Sequence, residues 1–73
     1  MKINVKFGKI IKHLRTSMGL SQEELAYRAG VHRTYIGMIE RAEKNISIEN
    51  GYKIAKALNV SMSYIFSEIE KDG

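Results

Sequence analysis

Between Gln22 and Arg41 the sequence has room for two short helices, one abrupt reversal at Gly30, and little else. Ser21 can cap the first of these helices with its hydroxyl, and Glu24, three residues on, completes a capping box. Leu25, Ala26 and Ala29 form its inner face, and Gly30 ends it. The second helix starts near His32 or Arg33 and turns Ile36 and Ile39 inward. Counted from Gln22, the fifth residue is Ala26, small enough for two helices to cross closely. The ninth is Gly30, where a positive φ is cheap only for glycine. Leu25, Ala29, Val31, Ile36 and Ile39 supply apolar groups wherever the helices face one another. This is the spacing of a helix-turn-helix, whose second helix enters the major groove of DNA.

The flanking segments repeat the helical rhythm. Phe7, Ile10, Ile11, Leu14 and Met18 make an i, i+3, i+4, i+7 stripe that Gly19 stops. A polar loop, Ala42 to Asn45, follows the second helix of the motif. Ser47 can cap a fourth helix carrying Ile48, Tyr52, Ala55 and Leu58, with Asn59 ending it, and a fifth begins near Met62. Alternation over Met1, Ile3, Val5 and Phe7 is strand-like, but no partner strand is evident. Met1 to Lys6 therefore reads as an extended arm. The expected fold is all-α: one compact domain spanning residues 1–73, with five helices and the helix-turn-helix at the second and third.

Composition narrows the function. The 73 residues include no cysteine and no proline, which excludes disulfides and thiolate metal sites. His13 and His32 stand on different helices, and nothing has metal-ligand or triad spacing. The reading is therefore a non-enzyme without cofactor or metal. Lysines interrupt the first twelve residues, so no signal peptide is expected there. No apolar run approaches the roughly 20 residues that span a bilayer, so the expected setting is soluble and cytoplasmic. Residues 1–67 carry eleven basic and five acidic groups, a net of +6, because Glu68, Glu70 and Asp72 sit in the tail. Nucleic acid is the first candidate partner for such a surface.

Met18 to Ala26, Gly30 to Ile36, and Ile39-Glu40-Arg41 together resemble the Cro/repressor-type (Xre-like) helix-turn-helix family, over about Phe7 to Phe66. His32 to Ile36, Ile39 to Arg41 and Asn45 are similar to the controller proteins of restriction-modification systems. The resemblance implies a phage-repressor-type fold and a homodimer that regulates transcription from an inverted-repeat operator. An antitoxin or phage-type repressor whose main partner is another protein is the alternative.

Recognition residues follow from helix geometry. Arg33 is the first choice for base readout, because a guanidinium can donate two bonds to guanine. Thr34 either meets a base or phosphate or supports the first helical turn. Met38, one turn on, faces thymine methyls or the core. Gly37 is unusual inside a helix and has two readings: close approach to the groove, or a tolerant position. Gln22 opens a helix, where backbone N–H groups and its amide can hold a phosphate, and the family resemblance implies the same role. It also implies backbone contacts for Tyr35, Lys44 and Asn45. His32 caps its helix or meets a phosphate; Arg41 meets a phosphate or complements the helix dipole. Lys9 and Lys12 are flanking phosphate candidates. The resemblance further implies that Arg15 and Glu40 form a structural ion pair. The apolar residues of the last two helices exceed what one small core needs. Tyr64, Ile65, Phe66 and Ile69, within the region at about 61–70, are therefore expected at a twofold dimer interface. RNA polymerase is a further candidate partner, with Glu23 and Glu43 as candidate contacts.

Overall fold

The computed structural model describes residues 2–71. Among them are five helices: α1 (Ile3–Ser17), α2 (Gln22–Ala29), α3 (Arg33–Glu40), α4 (Ile48–Ala57) and α5 (Met62–Glu70). Each contributes one completely enclosed side chain to a shared core: Ile11, Leu25, Ile36, Ile54 and Ile65 in chain order. Phe7, Ile39, Leu58 and Ile69 fill the space around them. Burial of such side chains stabilises by roughly 1.5–3 kcal/mol each, and in a chain this short that core has little to spare. No helix among the described residues is long and apolar enough to cross a membrane.

The helix boundaries have local causes. The Ser21 hydroxyl accepts from the Glu24 N–H at 3.0 Å, and the Glu24 carboxylate accepts from the Ser21 N–H at 2.9 Å. These bonds hold the Glu24 pKa below its ordinary value. Gly30 closes α2 in the left-handed region at φ 72°, so Val31 N–H can reach back to the Ala26 carbonyl. Ser47 and Ser61 cap α4 and α5 through the backbone N–H groups of Asn50 and Tyr64. Ser61 was not among the caps expected from sequence.

The expected arm at residues 1–6 is corrected in the structure. Met1 lies outside the described residues, but α1 already begins at Ile3. The reason is that Ile3, Phe7, Ile11 and Leu14 also satisfy helical spacing, and a helix pairs its backbone locally where a lone strand has no partner. The Lys6 N–H bonds the Lys2 carbonyl at 3.1 Å. The Lys6 ammonium reaches the Ile69 carbonyl at 3.4 Å, tying the first turns of α1 to the end of α5.

Gly8, which sequence patterning passed over, sets how closely α1 approaches α3. A Cβ at Gly8 would collide with the Ile39 carbonyl oxygen and lie 3.0 Å from that of Glu40. Both obstacles are backbone, so neither can turn aside. Alanine is intrinsically the better helix residue. A Gly8→Ala variant is nevertheless expected to lose about 1–3 kcal/mol through overpacking. Urea melts followed by circular dichroism check this; an unchanged or raised midpoint would contradict the close approach.

Candidate nucleic-acid interface

The close packing of α1 on α3 brings Arg15 to Glu40. Arg15 Nε donates to Glu40 Oε2 at 2.6 Å and Nη2 donates to Oε1 at 3.0 Å. Arg15 Nη1 donates to the Leu20 carbonyl at 2.8 Å, fixing the turn before α2. The two side chains are 11% and 3% exposed, so the pair is largely withdrawn from solvent. Its hydrogen bond to Glu40 holds the Arg15 pKa above the ordinary arginine value. A fourth bond was not foreseen: Gln22 Nε2 donates to Glu40 Oε1 at 3.0 Å. The first residue of α2 is thus attached to the last residue of α3, which fixes the geometry between the two helices.

The outward face of α3 lies opposite Ile36 and Ile39. Arg33 and Thr34 are exposed there, and Met38 is half-buried. Arg33 Nη1 donates to Glu23 Oε2 at 2.9 Å, with both side chains about two-thirds exposed or more (67% and 72%). His32 takes the capping role: its Nδ1 accepts from the Thr34 N–H at 3.1 Å. The Tyr35 hydroxyl accepts from Asn50 Nδ2 at 3.2 Å, so a residue of α4 that sequence reasoning missed orients it. Lys44 and Asn45 are exposed in the loop after α3. Ala42 starts that loop in the left-handed region at φ 58°, uncommon for a residue with a side chain. Arg41 Nε and Nη2 donate to the two carboxylate oxygens of Glu43 at 3.0 and 3.1 Å. This exposed pair raises the Arg41 pKa and lowers that of Glu43.

The helix-turn-helix therefore exposes Arg33, Thr34 and Arg41 along α3 and its end, with half-buried Gln22 beside Arg41 at the start of α2. The helix-turn-helix family profile matches residues 11–65. The chain belongs to the helix-turn-helix family. Within that family it resembles the control protein C.MunI of a Mycoplasma species, at 39% identity over 71 residues covering 96% of each chain. Control protein C.BamHI of Bacillus amyloliquefaciens is 46% identical over 59 residues, covering 80% of this chain and 73% of that one. Among solved structures, the restriction-modification controller protein C.Esp1396I superposes with a TM-score of 0.90 at 36% identity, over 99% of this chain and 95% of that one. That structure is a tetramer in complex with its natural 35 base-pair operator.

Of the residues expected at a dimer interface, Ile65 and Ile69 are corrected: they are 0% and 6% exposed in the core of the single chain. They share the inner face of α5, which packs on α1. Tyr64 and Phe66 stay exposed, at 43% and 41%. An apolar groove beside Phe66 is lined by Ile3, Phe7, Ile46, Ile48 and Met62. The spacing of Ile65, Phe66 and Ile69 could not separate these fates, because all three fit one helical stripe.

Glu40 neutralises Arg15 and anchors Gln22 at once. Removing it leaves a largely buried guanidinium without its carboxylate, a loss of about 3–5 kcal/mol. The Glu40→Ala protein is expected to melt at lower temperature and to bind DNA more weakly. Unchanged melting with lost binding would refute the structural role.

Proposed function

We propose that this protein is a sequence-specific double-stranded-DNA-binding transcription regulator, a homodimer on an inverted-repeat operator that controls a restriction-modification system. The observation that carries the reading is the Gln22–Arg41 surface itself. It is an α3 outer face with Arg33 and Thr34 exposed at its start, set against an α2 start fixed through Gln22 and Glu40. The likeness to control proteins over nearly the whole chain supports the finer assignment.

In this reading α3 lies in the major groove. Arg33 exchanges Glu23 for guanine O6 and N7, and Thr34 and Met38 read neighbouring base edges. An ion pair this exposed is worth about 1 kcal/mol or less, so Glu23 yields it at little cost. Gln22, Tyr35, Arg41, Lys44 and Asn45 hold backbone phosphates, and these contacts set register without carrying sequence information. His32 joins them through its second ring nitrogen, since Nδ1 accepts the Thr34 N–H in the α3 cap and leaves Nε2–H to donate.

Dimerisation is assigned to the exposed face of the 61–70 region, through Tyr64 and Phe66 and the adjoining groove. An isologous contact there presents the same patch twice. It sets two α3 helices about 34 Å apart, one turn of DNA. RNA polymerase is a further partner in this reading, with Glu23 and Glu43 as its acidic contacts once their arginines turn to DNA.

The test is selection from a random duplex pool near physiological salt. The expected product is an inverted repeat with half-site centres about 10 base pairs apart, and Arg33→Ala should relax the preference at one position of each half-site. Recovery of no motif by folded protein would instead favour a protein-binding module.

A further inference from the structure

Gly37 sits in the middle of α3, where glycine is the poorest choice after proline. It shares a helical stripe with Arg33 one turn before and Arg41 one turn after, on the side away from the core. Gly37 is nonetheless buried. The three atoms that a Cβ there would meet first all belong to polar surface side chains: Arg41 Nη1 at 3.0 Å, Gln22 Oε1 at 3.5 Å and Arg41 Nη2 at 3.6 Å. The Arg41 side chain folds back along the helix and lays its guanidinium across the glycine.

The hydrogen bonds define what each group presents. Glu40, as a carboxylate, only accepts, so it draws the Gln22 NH2 toward itself and leaves the Gln22 oxygen facing Gly37. Glu43 engages Nε and Nη2 of Arg41, leaving Nη1 above Gly37 to donate elsewhere.

We propose that Gly37 is a positioning residue. Its missing side chain seats the Arg41 guanidinium over the middle of α3 beside Gln22, where Arg41 Nη1 donates to a DNA backbone phosphate. This rests on the DNA-binding reading above and adds to it the reason for a glycine in the recognition helix. Without the notch, the still exposed Arg41 guanidinium is displaced from the middle of α3 and from Gln22.

A double-mutant cycle tests the proposal. Wild type, Gly37→Ala, Arg41→Ala and the double variant are titrated against the selected duplex by fluorescence anisotropy at several salt concentrations. Gly37→Ala is expected to weaken binding roughly threefold to tenfold, each tenfold being one decade in Kd. Its melting temperature should stay the same or rise, since alanine favours the helix. Arg41→Ala should weaken binding by a similar factor and reduce the slope of log affinity against log salt by about one. The double variant should bind no more weakly than Arg41→Ala. Wild-type affinity in Gly37→Ala would overturn the proposal. So would an equal loss from Gly37→Ala with and without Arg41, which would mean that the added methyl meets DNA directly. If wild type shows no preference for its selected duplex, the DNA-binding reading fails, and that is visible before any variant is compared.

Discussion

The placement of the outer α3 face relative to α1 and α2 depends on the ion pair between Arg15 and Glu40. It spans α1 and α3 at the point where Gly8 lets those helices approach, and through Gln22 it extends to α2. Three helices that share an apolar core could slide against one another at modest cost, because dispersion contacts have little direction. A carboxylate that receives two arginine N–H groups and one amide N–H has direction. Every buried side-chain nitrogen and oxygen among the described residues has a partner, so the network carries no unsatisfied group. Such a pair is weak evidence for added stability. Its role here is to hold the start of α2 and the outer face of α3 in one relative position.

That rigid frame carries a surface that is held only lightly. The Arg33–Glu23 and Arg41–Glu43 pairs are more than half exposed on every side chain and are screened by salt. Glutamates within reach of both arginines keep the isolated protein from presenting bare charge, and in the proposed reading a phosphate or a guanine edge competes for each guanidinium. The arrangement separates what must be fixed from what must exchange: buried bonds set the angle between helices, and exposed ones turn over.

Much of this was legible in the sequence because the governing constraints are local. Ser21 with Glu24, Gly30, and the inward Leu25, Ile36 and Ile39 each act within a turn or two, and they place α2 and α3 almost to the residue. What sequence missed depends on distant neighbours. The first turns of α1 fit both period-two and helical spacing. Only the lack of a pairing strand and the packing of Phe7 in the core select the helix. Ile65 and Ile69 share a stripe with Phe66, and their burial is set by α1, far away in sequence. Gly8 and Gly37 carried a faint signal, since glycine inside a helix needs a reason. Those reasons are a carbonyl thirty residues on in one case and a folded-back arginine in the other. The bonds from Gln22 to Glu40 and from Asn50 to Tyr35 left no pattern to read.

In the proposed reading, two copies of this frame set their α3 helices into successive major grooves on one face of the duplex. Hydroxyl-radical and guanine-methylation footprinting on a selected duplex tests it most directly. The expected result is two symmetric patches of protection whose centres lie about one helical turn apart, with guanine N7 shielded in each major groove. A single patch, or uniform backbone protection with every guanine still reactive, would contradict it.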